Sequence, residues 1–533
     1  MEKVVIDGES LERAHVVSVA RGYKEGKTKK YPKVVINKEK EKKIKKIRSY
    51  VDEEWLSGNP PTIYGFNTGV GVLKDSQIDT AKNDKFQQLM IESHSAGIGD
   101  PAPEEVIRAT MLMRANALTR CVSGIRIEVI KRLLSMLNKE VHPVIPEQGS
   151  VGASGDLAPM AHLVAALVGH DEAEVFYRGE RMPAAEGLKA AGIEPKFTMK
   201  AKDVLAMING CTFTLGYAVL ALEDSWKLMK SANLAAALSI ESMRGEMAAF
   251  DDRIQVARNQ DGQREVAAEI RDLLVDSEWA TEEARKIKLP YENRKGDFKP
   301  RVQDAYALRC IPQVHGASQD VLKFTEQILE NEMNAATDNP LIFAKEGGGY
   351  EALSGGNFHG QYLSYAMDYL SIAVHEVGDI SERRSSRMMD PNLSYGLPPN
   401  LVGGTVGLNT GFTLAQCAAS SLVSENKRMC FPSSADSIPT KSNQEDHVSM
   451  APIAARKARE IVDNTRKIIA IEFLCAAQGI SLITDELDDL ELATATGEAY
   501  EKIREKIPAT GEDRFVSKQM KIVYDMVTED ELK

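Results

Sequence analysis

Leu363, Met367, Leu370, Val374 and Val377 fall at successive intervals of four, three, four and three residues. That alternation places all five on one stripe of an α-helix with the spacing of a coiled-coil seam, so the helix has to bury the stripe against other helices. His375 lies beside it and reads as structural. The pattern recurs along the chain. Residues 215–248 are rich in Ala, Leu and Met and contain no proline, as a long bundle helix requires, and residues 451–480 read as another. Residues 103–140 add helix, with Met111, Met113, Leu118 and Leu134 as core positions. A further helix is read at 318–335, and 407–428 reads as another apolar segment. A short strand, Val4 to Ile6, precedes a turn at Asp7-Gly8, where Ser10 is placed to cap the next helix. Residues 176–200, punctuated by Gly and Pro, read as a small excursion.

Length and charge bound the rest. A chain of 533 residues can bury a large core, and length alone suggests two to four domains. The net charge of −12 argues against a nucleic-acid binder. The lysine-dense stretch at 24–49 reads as a solvated helix face, and the charged, turn-rich stretch at 276–300 as an exposed loop. Cys121, Cys211, Cys310, Cys417, Cys430 and Cys475 are scattered without a Cys-x-x-Cys pair, which suggests neither a disulfide framework nor a zinc site. Residues 1–15 lack the apolar core of a signal peptide, and no stretch has the apolar length that spans a bilayer. No membrane association and a reduced, cytoplasmic location are expected.

The chemistry concentrates in Gly149-Ser150-Val151-Gly152-Ala153-Ser154-Gly155-Asp156-Leu157-Ala158-Pro159-Met160. Its glycines tolerate positive φ. The apolar run from Leu157 to Val168 reads as a helix, with Ser154 or Asp156 as its cap. In a tightly bent loop the Gly155 amide nitrogen can attack the Ala153 carbonyl carbon. Loss of two waters then leaves an imidazolone ring carrying an exocyclic methylidene from Ser154. Only small residues leave room for that closure, and the product is an electrophile that no ordinary side chain provides.

The string resembles the signature of the aromatic amino acid ammonia-lyase and aminomutase family, which makes this 4-methylidene-imidazol-5-one (MIO) cofactor from its own Ala-Ser-Gly. Three further strings match in order, in Tyr64-Gly65-Phe66-Asn67-Thr68-Gly69-Val70-Gly71, in the segment from Arg301 to Gln313 and in the segment from Lys441 to Met450, so the resemblance covers roughly residues 1–520. It implies that Tyr64, on a mobile loop, is a catalytic base and that Asn209 sits at the cofactor. It implies that Arg309 binds the substrate carboxylate, with Gln303 and the catalytic Tyr306 near the same site. Phe358 and Gln444 would line the substrate pocket. Ser93 and His94 would face the substrate side chain, and Ser-His here is the pattern of histidine ammonia-lyases. Some tyrosine aminomutases also carry Ser-His-Ser-Ala-Gly. Glu445 matches a glutamate of the histidine enzymes. A carboxylate there can pair with an imidazole or act as a base, whereas a phenyl ring would leave it unsatisfied. Glu445, Asp446 and His447 resemble metal ligands in composition, but consecutive residues rarely converge on one ion, so no metal is expected.

The resemblance implies an all-α fold of long antiparallel helices, arranged as 1–205 with the substrate and cofactor loops, 206–480 as the central bundle, and 481–533 as a charged helical tail. It also implies a homotetramer whose active sites each draw on three chains, acting on a small-molecule aromatic amino acid. The expected reaction is elimination of ammonia from L-histidine to give urocanate. A 2,3-aminomutase making a β-amino acid is the alternative, and a non-catalytic helical scaffold a remote one.

Overall fold

A computed structural model describes residues 3–26, 28–58, 60–292, 301–509 and 511–532. Residues 293–300 of the charged 276–300 stretch lie outside these. Nineteen α-helices dominate the described residues, and every sheet has only two or three strands, so the all-α expectation holds. No helix among the described residues is long and apolar enough to cross a membrane.

The chain forms two compact units, each assembled from separated segments. The first comprises Met1–Glu223, Glu326–Asp368 and Pro432–Arg456. Its core is built on Glu104–Leu118, Ile127–Asn138 and Leu157–Val168, in which Met111, Met113, Leu118 and Leu134 are all buried. Lys3–Ile6 pairs in parallel with Lys33–Ile36, and Val4, Ile6 and Val34 point inward. The excursion at 176–200 supplies a hairpin strand and the short helix Ala184–Ala190.

The second unit comprises Asp224–Thr325, Tyr369–Phe431 and Lys457–Lys533. A buried polar knot ties three of its helical segments together. Glu472 accepts from Arg384 Nε at 2.5 Å and Nη2 at 2.9 Å, from Ser239 Oγ at 2.8 Å and from Ser381 Oγ at 2.5 Å. With both charged side chains fully buried, every one of these bonds counts against the cost of desolvating the pair.

The long helices fall where the patterning places them, at Thr212–Ser242, Ile311–Met333, Gln361–Met389 and Ala451–Ser481, and the apolar segment at 407–428 supplies another, Thr413–Met429. All five stripe residues from Leu363 to Val377 are at most 2% exposed. Three local readings are corrected. Ser10 caps no helix: Asp7 Oδ1 accepts from the amides of Glu9 and Ser10, and Ser10 Oγ donates to Asp7 Oδ2 at 2.8 Å, so this turn consumes it. The helix begins later, at Arg13. The lysine stretch is not one helix face but a hairpin, a strand and the helix Lys38–Tyr50, which buries Ile44 and Ile47 and exposes Lys42, Lys43, Lys45 and Lys46. The stretch from 276 is not all exposed loop. It contains the helix Glu282–Lys286 and buries Trp279, Ala284 and Leu289, because apolar anchors alternate with its charges.

Candidate active site

The loop between Gln148 and Leu157 is bent as its composition requires. Gly149, Gly152 and Gly155 have φ of +123°, +70° and +84°. At Gly155 glycine is obligatory for a second reason, since a Cβ there would lie 2.2 Å from the backbone nitrogen of Gly210. The loop is clamped to the Asn209-Gly210 turn at the end of the helix Asp203–Ile208. Ser154 O accepts from Gly210 N at 3.2 Å and from Asn209 Nδ2 at 2.5 Å, and Asp156 N donates to Gly210 O at 2.9 Å. On the other side Gly152 O accepts from Gly360 N and Ser449 Oγ, each at 2.9 Å. Ala153 packs, buried, against Val448 and Met450.

Asp156 opens the helix Leu157–Val168, but its side chain does not cap it. Instead the buried carboxylate accepts from Thr214 N at 2.7 Å, Thr214 Oγ1 at 3.0 Å and Ser150 Oγ at 3.0 Å. Burial pushes its carboxyl above the usual range, against these hydrogen bonds. Ser154 does not cap the helix either, because its hydroxyl donates to Glu445 Oε1.

This geometry suits ring closure between Ala153 and Gly155. The backbone is anchored on both sides of the pair, yet among the described residues neither the Gly155 amide nor the Ala153 carbonyl has a hydrogen-bond partner. Those are the two groups that closure joins.

Glu445 reaches Ser154 through an unusual turn. Lys441, Ser442 and Asn443 have φ of +51°, +53° and +63°, a left-handed conformation that costs about 1–2 kcal/mol per non-glycine residue. Backbone bonds from Thr440 N to Glu445 O at 2.9 Å and from Glu445 N to Thr440 O at 3.3 Å shut the turn. Within it Glu445 Oε2 accepts from Thr440 Oγ1 and Oε1 from Lys441 Nζ, each at 2.7 Å. Burial pushes the Glu445 carboxyl up, but the donors Lys441, Ser154 and Thr440 outweigh it and hold it below its ordinary value.

Glu445 and Ser154 face a cavity of about 830 Å³ that Tyr64, His94, Ala153, Asn209, Phe358 and Gln444 also line. Tyr64 belongs to the glycine-rich loop, and its Oη accepts from Gly71 N at 3.3 Å. His94 ends the helix Asn83–His94. Burial, then the Lys441 charge, lower its pKa against the pull of the Met90 carbonyl and Glu445, which favours the neutral ring. Gly155, next to Ser154, does not line the cavity. Ser93 stays outside, with its Oγ 3.0 Å from His94 Nδ1. Gln303, Tyr306 and Arg309 belong to the second unit and do not line this cavity. There the Arg309 guanidinium lies 4.7 Å from the Tyr306 ring centroid, and its buried Nε has no partner among the described residues.

Sequence reasoning passed over Lys441 and Thr440 as partners of Glu445, and it named His447 only for its likeness to a metal ligand. Lys441 and Thr440 went unnoticed because their approach to Glu445 depends on a left-handed turn. The stacked rings of His359 and His447, 5.8 Å apart between centroids, meet across separate segments at the same cavity.

Comparison with known proteins agrees with this geometry. Residues 11–505 match the model of the aromatic amino acid lyase family. A histidine ammonia-lyase of Geobacillus sp. (strain WCH70) is 46% identical over 91% of this chain and 90% of its own. Among solved structures, histidine ammonia-lyase from Trypanosoma cruzi superposes with a TM-score of 0.86 at 36% identity, covering 99% of this chain and 94% of that one. Tyrosine aminomutase from Streptomyces globisporus superposes at 0.89 with 34% identity, covering 99% and 97%. The chain belongs to the aromatic amino acid lyase family.

Proposed function

We propose that the protein is a carbon–nitrogen lyase that converts L-histidine to urocanate and ammonia. The observation that carries the choice of substrate is the Glu445 carboxylate, which faces the cavity together with His94 and keeps its bonds from Lys441 and Thr440 once the Ser154 hydroxyl has left as water. An anionic acceptor can take an imidazole N–H as a further donor, and a phenyl ring has none to offer. Relatives named histidine ammonia-lyase support the same substrate.

In this reading Ala153, Ser154 and Gly155 form an MIO group, held by Asn209 and by the Gly210 and Gly152 backbone contacts. When present, that group supplies the electrophile that makes the substrate amine a better leaving group. The remaining work belongs to side chains. The reaction removes a β-proton, breaks the Cα–N bond and leaves a Cα=Cβ double bond. Tyr64 takes the β-proton, as its place at the cavity permits. Glu445 accepts from the substrate ring, and Phe358 and Gln444 close the pocket around it. Arg309 holds the substrate carboxylate in a bidentate grip, with Tyr306 and Gln303 beside it. In the homotetramer of this reading, neighbouring chains supply these three residues to each site. Six free cysteines fit a reduced, cytoplasmic setting.

The likeness to tyrosine aminomutase keeps a second reading in play, in which the amine returns to the β-carbon. Purified protein incubated separately with L-histidine, L-tyrosine and L-phenylalanine decides between them by ultraviolet absorbance and amino acid analysis. Urocanate from L-histidine alone, from a chain whose intact mass is lower by two waters, is the expected result. A β-amino acid as main product would replace the lyase by a mutase, and turnover of tyrosine alone would replace the substrate.

A further inference from the structure

Lys441 lies on the left-handed turn four residues before Glu445, and its Nζ is 2.7 Å from Glu445 Oε1. Thr440 Oγ1 takes the other carboxylate oxygen at the same distance. The carboxylate is thus gripped at both oxygens; Oε1 also receives the Ser154 hydroxyl before ring closure, and the Lys441 and Thr440 bonds are the ones that outlast its loss as water. The Glu445 side chain is only 10% exposed, against 40% for Lys441, so the carboxylate end of the pair is sheltered while the ammonium stem reaches solvent, and both residues line the cavity. An i to i+4 pair on an ordinary helix needs no unusual backbone. Here three consecutive non-glycine residues leave the preferred region, and the result is to bring Lys441 onto Glu445. Strain of this kind persists where the surrounding structure over-determines it, and it concentrates at functional sites.

We propose that Lys441 is a positioning residue that fixes the Glu445 carboxylate beside Ser154 and thereby governs how the site takes the ring of its substrate. The proposal rests on the reading of Glu445 as the group that meets that ring. Lys441 favours the charged form of Glu445 and disfavours the charged form of His94. The cavity then presents one anionic acceptor and one neutral imidazole. A carboxylate so stabilised is a weak base, which assigns ring recognition to Glu445 and proton abstraction to Tyr64. The other titratable groups around the cavity are Tyr64, Lys74, Asp75, His359, Asp446 and His447.

The test compares wild type, K441Q and K441R by kcat and KM across pH, with intact mass and thermal melting as checks on folding and maturation. In K441Q the acid limb of kcat/KM moves up by about one pH unit, because Glu445 loses the cation that favours its charged form. KM for L-histidine rises about tenfold with a smaller change in kcat, since a charge-assisted contact is weakened. K441R restores most of both. An acid limb and KM in K441Q that superimpose on wild type overturn the proposal, as does K441R being as impaired as K441Q. Should wild type turn over L-tyrosine rather than L-histidine, the substrate assignment fails, and the same comparison with L-tyrosine still decides the role of Lys441.

Discussion

Gly155 is the residue on which the site depends most directly. It combines φ of +84° with a neighbour that would meet a Cβ at 2.2 Å, so Gly155→Ala has to displace either itself or the Asn209-Gly210 clamp. The variant is expected to keep the full sequence mass, without loss of two waters, and to form no urocanate above background. A variant that still loses two waters would show that closure does not need this clamp. At the residue scale the sequence was legible where small residues state a conformational need, as in the loop glycines. It was illegible where a contact depends on an unusual backbone. Lys441 reads as one more lysine until Lys441, Ser442 and Asn443 are seen to turn left-handed. The placement of Asp156 was right and its use was not, because Thr214 and Ser150 compete successfully for its carboxylate.

Among the helices, periodicity located the elements well, because a buried stripe repeats and a repeat survives small errors in its boundaries. The polar groups that helix ends bury leave no such trace. Glu241, near the end of Thr212–Ser242, accepts from Ala493 N at 2.8 Å and Ser277 Oγ at 2.6 Å. Burial pushes its carboxyl from 4.5 up to about 7. Between pH 4.5 and 7 the folded chain holds a proton that the unfolded chain has released, so this group makes stability fall as pH rises through that window. The loss is about 3 kcal/mol from one side of the window to the other. Glu241→Gln removes this dependence. Urea midpoints at pH 5 and pH 8 are expected to differ less in the variant than in wild type, and an unchanged difference would assign the dependence to other groups.

For the whole molecule, the separation of Tyr64, Ser154 and Glu445 from Gln303, Tyr306 and Arg309 into two units has a functional reading. If neighbouring chains complete each site, Ser154→Ala and Arg309→Ala chains are each inactive alone. Co-expressed, they form mixed assemblies in which some sites carry both native residues, and a measurable fraction of urocanate formation returns. No recovery, with mixed assemblies verified by mass, would place the whole site within one chain. Exposed Phe324, Tyr369 and Ile372 in the second unit supply apolar surface of the kind an assembly covers. The sequence by itself determined the helical class, the position of the long helices and the bent backbone of the Gly149 to Gly155 loop, because apolar spacing and small-residue runs are local constraints written in consecutive residues. Only the tertiary structure decided that Glu445, far along the chain from Ser154, meets its hydroxyl, that Asn209-Gly210 clamps the loop, and that Lys441 and Thr440 hold the carboxylate. Those contacts arise from how distant segments pack, and no local pattern encodes the distance between them.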